Sequence, residues 1–290
     1  TSLATLIQEG KLNPETGKVV DPVSGREMSL ADAISNNVLD PHVDSEKIIG
    51  QISALKMLSK HMDPAQKGVH HPTVGNISLE EAVLNGLVDV PNNKFVDPTT
   101  GKSISLVEAV AEGLIDPKVA KELFGAMTQE SLSQLLEQNC IDPKTGKYVD
   151  PTTKKKISMQ AAIDAGKLDP NTVFTVDPST GQITSLATLI QDGKLNPETG
   201  KVIDPVSGRE ISLAEAIANN VVDPHVDSEK VMGQVSSLKM LNKHMDTSQT
   251  GVCLPSSGRD QPVSDMSVEE AILKGIIDVP NNKFVDPRSG

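Results

Sequence analysis

The stretch Ile104-Ser105-Leu106-Val107-Glu108-Ala109-Val110-Ala111-Glu112-Gly113-Leu114-Ile115-Asp116-Pro117 spells one short helix with both ends marked. Ser105 stands as N-cap, and Glu108 three residues later completes a capping box. Leu106, Ala109 and Val110 fall on one apolar face at helical spacing. Gly113 ends the helix, because glycine enters the left-handed conformation of a C′ position without a steric penalty. Leu114 and Ile115 return to the core, and Asp116-Pro117 turns the chain.

The same signature runs through the molecule. Capping serines recur at Ser2, Ser29, Ser78, Ser105, Ser131, Ser158, Ser185, Ser212 and Ser267. Eight residues after each stands Gly10, Asn37, Gly86, Gly113, Asn139, Gly166, Gly193, Asn220 or Gly275, the two residue types that best tolerate positive φ. Capping-box partners are Asp32, Glu81, Glu108, Gln134, Glu215 and Glu270, whereas Ser2, Ser158 and Ser185 have Thr5, Ala161 and Thr188 in that place. Most intervals are 26 or 27 residues and hold a pair of turns, as in Asn13 to Gly17 and Asp21 to Gly25. In each Asp/Asn-Pro-x-Ser/Thr-Gly turn the acid or amide accepts backbone bonds, proline fixes φ, and glycine supplies the positive φ at the end. The second turn of each pair is expected to be the tip of a small β-hairpin leading into the next capping serine.

Two longer intervals, Ser29 to Ser78 and Ser212 to Ser267, each predict a second helix. One is placed at about His42 to Met62, with Ile48, Ile52, Leu55 and Leu58 as its stripe, and one at about His225 to Met245, with Val231, Val235, Leu238 and Leu241. A shorter one opens at Asp116-Pro117, with Asp as N-cap and Pro at N1. Above this lies a larger period. Thr1 to Met62 matches Thr184 to Met245 at an offset of 183, with about one difference in six positions, most of them conservative. The copies diverge around His70-His71 and Cys253, then rejoin at an offset of 189, where Phe95-Val96-Asp97-Pro98 returns as Phe284-Val285-Asp286-Pro287. The expected organisation is a first module over 1–183 and the start of a second over 184–290, in one continuous array.

The chain of 290 residues has no Trp and only five Phe and Tyr together, so its core must be aliphatic. A formal charge of −12 argues against nucleic acid as a main partner and against an anionic membrane surface. Cys140 and Cys253 lie far apart and read as free thiols in a reducing compartment. No apolar run approaches the roughly 20 residues of a membrane span. The first residues lack signal-peptide architecture, and the chain reads as cut from something longer.

The segment Val96-Asp97-Pro98-Thr99-Thr100-Gly101-Lys102-Ser103-Ile104-Ser105, continuing through Gly113 to Pro117, resembles the plakin (plectin-type) repeat. The resemblance covers essentially the whole chain. It implies repeats of a β-hairpin followed by two antiparallel helices, found in cytolinkers that bind intermediate filaments. The 27-residue intervals depart from this pattern, a second turn standing where the second helix would be. Long, shortened and near-identical tandem copies look more like the spectraplakin branch. The acidic charge is a second departure, since filament binding in the family is thought to use a basic groove.

Residues able to carry chemistry are few. His61, His70 and His71 could suggest a metal, but His244 of the second copy has no counterparts to the pair, and no Cys or spaced carboxylates join them. His42, His61, His70, His71, His225 and His244 read instead as solvated or helix-end residues. The Asp-Pro turns lack calcium-loop spacing. Neither cysteine has a His and acid constellation nearby, the serines are caps, and no phosphate loop or dinucleotide fingerprint occurs, so neither an enzyme nor a cofactor is expected. The one local excess of positive charge is Lys118, Lys121, Lys144, Lys147, Lys154, Lys155 and Lys156. Against five acids in residues 117–156 they give that window a net +2 in a −12 chain. Lys154 also occupies a place where sister turns carry glycine. These lysines are the candidate surface for an acidic protein partner.

The expected fold is therefore α+β: tandem plakin-type repeats of short capped helices and β-hairpins, some with a longer second helix, in one elongated array. The expected function is a non-enzymatic cytoskeletal linker segment, in the cytoplasm at the cytoskeleton or a cell junction, binding intermediate filaments or junctional proteins. A mechanical spacer with no dedicated ligand is the alternative.

Overall fold

The computed structural model describes residues 3–13, 16–36, 38–39, 44–244, 250–254, 264–279 and 283–285. The expectations for Ser2, Asn37, His42 and the side chain of Cys253 lie outside the described residues. Nine of the described helices are six residues long: α1 (Leu3–Gln8), α2 (Leu30–Ser35), α4 (Leu79–Leu84), α5 (Leu106–Ala111), α7 (Leu132–Glu137), α8 (Met159–Asp164), α9 (Leu186–Gln191), α10 (Leu213–Ala218) and α12 (Val268–Leu273). Three are longer: α3 (Ser45–His61), α6 (Pro117–Gln129) and α11 (Ser228–Asn242).

The opening stretch folds as its caps dictate. The Ser105 hydroxyl accepts the Glu108 N–H at 3.2 Å, and the Glu108 carboxylate accepts the Ser105 N–H at 2.6 Å. At the other end Gly113 adopts φ +80, its N–H donating to the Val110 carbonyl and that of Leu114 to the Ala109 carbonyl. This is the Schellman closure, which satisfies carbonyls that a six-residue helix would otherwise leave open. Asn139 and Asn220 close their helices with φ +55.

Reciprocal capping boxes form at Ser78/Glu81, Ser105/Glu108 and Ser212/Glu215. At Ser131 the expected box with Gln134 is absent, because the Ser131 hydroxyl turns to the Ser133 hydroxyl at 2.8 Å. Ser267 caps Glu270 N–H at 3.0 Å without a return bond.

Both turns of a pair make hairpins. In the unit before α5, strands Val88–Asp89, Lys94–Val96 and Ser103–Ser105 form a three-stranded antiparallel meander. Equivalent meanders precede α2, α8 and α10. The long helices begin later than the sequence suggests. Asp44 caps α3 by accepting the Lys47 N–H at 3.0 Å, and Asp227 caps α11 by accepting from Glu229 and Lys230 at 2.9 and 3.1 Å. A carboxylate satisfies the first free N–H groups, which the preceding Pro-His pairs cannot do. At α6 the expected Asp116 cap and Pro117 at N1 are present.

The Asp/Asn-Pro turns also join units. The second residue of five short helices donates its N–H to a turn proline: Glu80 to Pro64, Ser133 to Pro224, Gln160 to Pro197, Ala187 to Pro170, and Ala214 to Pro143, all between 2.8 and 3.0 Å. Two of these bonds are reciprocal, linking the units that carry α8 and α10. Between them Gly146 and Gly200 meet back to back, so that a Cβ on either would overlap the other's backbone.

The largest core is formed by α3–α6, α11 and α12, with Leu58, Leu79, Val110, Phe124 and Leu238 among its buried residues. A second core joins α7–α10 through Leu132, Tyr148, Met159, Leu186 and Leu213. A third gathers α1 and α2 onto Ile48 and Ile52 of α3. Contact order is not chain order: α11 packs on α5 and α6 across more than a hundred residues of sequence.

Candidate partner-binding face

Five of the seven lysines singled out from sequence lie on one meander, Ile141–Asp142, Lys147–Val149 and Lys156–Ile157. Its central strand alternates. Tyr148 turns inward to the second core, opposite Ile141 and Ile157, while Lys147 and Val149 face outward. Lys147 pairs with Asp142 and Val149 with Lys156, so both lysines share the outer face. Lys144 stands in the first turn and Lys154 and Lys155 in the second, all exposed.

The charges divide into held and free. Lys156 Nζ donates to Asp142 Oδ2 at 2.6 Å, and the buried Asp150 is paired with Lys167 from beyond α8. Among the described residues Lys144, Lys147, Lys154 and Lys155 form no ion pair. The hydrogen bond from Lys156, then that from Thr145, holds the Asp142 carboxyl well below the usual carboxylate range, and Lys167 does the same for Asp150. Burial pushes the Tyr148 hydroxyl up. The meander thus has a fixed ionic frame beneath four unpaired ammonium groups.

Lys154 takes the left-handed conformation, φ +56, that its sister turns give to glycine. Its backbone N–H donates to the Asp150 carbonyl at 2.8 Å, as the turn glycines do in their own turns. For a side chain with a Cβ this costs about 1–2 kcal/mol, and it projects the ammonium outward from the tip.

Lys118 and Lys121 are exposed on α6, whose other side is buried in the largest core through Val119, Leu123 and Phe124. The meander belongs to the second core instead. The structure thus brings five of the seven lysines onto one element, and one of those five is neutralised.

The histidines separate. His61 Nε2 lies 2.7 Å from Glu130 Oε1, tying the end of α3 to the end of α6 beside Lys60. His70 faces Asn76 across their hairpin, and His71 meets Thr73 within its turn. Among the described residues no group of His, Cys, Asp or Glu is arranged to hold a metal ion. The turn carboxylates are engaged locally. Asp97, for example, accepts from Thr99 N–H at 2.8 Å and from the Thr100 hydroxyl at 2.6 Å.

Sequence reasoning missed one acidic contact. Glu269 on α12 reaches Glu108 of α5, and its pKa is pushed up to about 7, chiefly by burial and then by the Glu108 carboxyl. The only signal was a second glutamate, Glu269, beside the expected cap partner Glu270.

Two segments, residues 95–123 and 199–226, match the plectin repeat. The chain carries plectin repeats. Each matched segment runs from a hairpin through a short capped helix, α5 or α10, toward a longer second helix, α6 or α11. Plectin repeats are repeats of cytoskeletal linker proteins, a structural family not known for enzymatic activity. Among curated proteins none matches the chain. No described helix is long and apolar enough to cross a membrane.

Proposed function

We propose that this chain is a linker segment of a cytoskeletal scaffold in the cytoplasm, and that the meander over 141–157 docks an acidic stretch of a protein partner. Four unpaired lysines on one rigid element, Lys144, Lys147, Lys154 and Lys155, carry the reading. They gather positive charge where the chain as a whole is −12, so an acidic partner is steered to one face. Intermediate filaments, with their acidic rods, are the partner that the plectin-repeat resemblance favours, and junctional proteins come second. Spectraplakin-like membership belongs to the same proposal.

Co-sedimentation of the full chain with assembled filaments tests it. The chain should pellet with filaments at low salt and less so as salt screens the contact. A variant with Lys144, Lys147, Lys154 and Lys155 all changed to Glu should stay in the supernatant. Absence of pelleting by the unaltered chain, or equal pelleting by the variant, refutes the proposal.

The interlocked turns around Gly146 and Gly200 favour a second reading, a mechanical spacer. Pulling the chain from its ends should then release it in discrete unit-sized steps. A single featureless extension removes that reading.

A further inference from the structure

A hollow opens in the unit that carries α10, where its sister units place a ring. The middle residue of the central meander strand turns into the core in each unit. Phe95 stands opposite Val88 and Ile104, Tyr148 opposite Ile141 and Ile157, and Val202 opposite Leu195 and Ile211. Phe95 and Tyr148 are buried rings. Val202 is buried as well, but it has no ring, and it borders a cavity of about 450 Å³. Sites for small molecules span roughly 300–1,000 Å³.

The walls are aliphatic: Val176, Leu189, Val202, Ile203, Val221 and Val222. They come from the hairpin of Phe174–Asp177 and Gln182–Ser185, from α9, from strand Lys201–Ile203 and from the segment after α10. Val176 and Asp223 exchange backbone N–H to carbonyl bonds at 2.8 and 3.1 Å, which pins the hairpin to that segment. Every residue from 174 to 223 is described. In the first copy the counterparts of Leu189, Val202 and Val222 are Leu6, Val19 and Leu39. They gather in the third core, which takes no described residue beyond Leu84. A later element of the array is therefore not the expected occupant.

One wall is polar. Phe174 and Val176 pack with the largest core, so Thr175 between them takes the opposite face of the strand, where it borders the cavity. Thr175 is 1% exposed, and its hydroxyl has no hydrogen-bond partner among the described residues. A buried hydroxyl is destabilising until a partner satisfies it. The ionic groups at the rim are already matched. Lys194 Nζ lies 3.2 Å from Asp177 Oδ2, and Asp204 accepts from the Val206 N–H at 3.0 Å and from the Ser207 hydroxyl at 2.5 Å. A charged ligand would bury its charge beside groups that are already compensated.

We infer that this cavity binds a small uncharged phenol. The ring takes the place of the one that Val202 lacks, and the phenol hydroxyl bonds to Thr175 Oγ1. A phenol joins an apolar body to a single polar handle, which is what aliphatic walls with one buried hydroxyl accept. The group arrives either as a free molecule or on a tyrosine side chain of a polypeptide. The site shares no residue with the lysine meander.

Titration of the full chain, labelled at its valine methyl groups and followed by NMR, tests the inference with p-cresol. The signals of Val202, Val206, Val221 and Val222 should shift to saturation, with a dissociation constant on the order of 1 mM for so small a ligand. Val202→Phe supplies the missing ring from within the chain and should abolish the saturable shifts. Thr175→Val keeps the shape and removes the hydroxyl. It should weaken p-cresol about fivefold, the worth of one hydrogen bond, and leave the binding of toluene as it was. N-acetyltyrosine amide separates the two sources: if it binds as well, the ring arrives on a polypeptide, and if p-cresol alone binds, the ligand is a free phenol. Absence of saturable shifts with p-cresol, undiminished binding by a folded Val202→Phe chain, or equal losses of p-cresol and toluene in Thr175→Val each overturns the inference. Should Val202→Phe not fold, Thr175→Val decides alone.

Discussion

Replacing Glu269 by Gln should make the seam between α5 and α12 insensitive to pH. Glu108 accepts the Ser105 N–H at 2.6 Å and stands beside Glu269. Glu269 then holds the proton and donates to it, with its pKa at about 7 against an ordinary 4.5. Burial is the largest cause, followed by the Glu108 hydrogen bond and charge and then Glu112, while Lys102 pulls the other way. Lys274, the other cation at this seam, is engaged with Glu270 at 2.7 Å. Between these pKa values the folded chain holds a proton that the unfolded chain has lost. Stability attributable to Glu269 is therefore highest below about pH 4.5, falls as pH rises toward 7, and levels off above it. The whole shift corresponds to about 3 kcal/mol. Glu269 is only half-buried, and solvent screening brings the figure to about 1–2 kcal/mol. Gln keeps a donor for Glu108 and has no proton to lose. Urea unfolding followed by far-ultraviolet circular dichroism should give closely matched midpoints for parent and variant at pH 4.5. At pH 8 the variant should be the more stable by about 1–2 kcal/mol. Parallel pH profiles for the two proteins would refute the shared proton.

Two further substitutions probe the turns. Gly146→Ala places a methyl group into the Gly200 backbone at a positive φ and should cost about 3 kcal/mol or more. Gly193→Ala has the same kind of φ with nothing within 4 Å and should cost only about 1 kcal/mol in the same unfolding experiment. Equal losses would mean that the Gly146–Gly200 contact contributes nothing. Lys154→Gly relieves the left-handed strain and should stabilise the chain by about 1 kcal/mol, raising the thermal midpoint while weakening filament pelleting. A lowered midpoint would show that the lysine side chain supports the turn.

The helices and turns were legible because their signals are local. A serine that accepts an N–H three residues on and a Gly or Asn that enters positive φ act within eight residues of each other, and among the described capping serines Ser131 alone lacks the side-chain bond. The long helices were legible in existence but not in their starts, since Pro-His and Asp-Ser both look like openings and only the carboxylate satisfies free N–H groups. The lysines were legible as a charge excess but not as a surface. Lys156 is neutralised by Asp142 across a register that the sequence does not print, and Lys118 and Lys121 follow α6 into another core. The turn prolines show the same limit. Each Asp/Asn-Pro reads as a local bend, yet Pro143 and Pro197 are acceptors for helices some 40 to 70 residues away.

One pair of turns separates what the local code determines from what it leaves to context. Gly17 and Gly200 sit in the same pentapeptide, at φ +70 and +66. Gly200 lies against the Gly146 backbone, whereas the position of a Cβ on Gly17 faces Ile52 and Lys56 of α3. The counterpart of Ile52 on α11, Val235, is buried in the core that contains α5 and α6. The closing glycines of identical pentapeptides thus lie against different surfaces, one a glycine backbone and the other the Ile52 and Lys56 side chains. The motif sets the shape of each unit, and the differences around it set the neighbour. The copies differ most plainly where one residue replaces another in a shared turn, as Lys154 does where sister turns carry glycine.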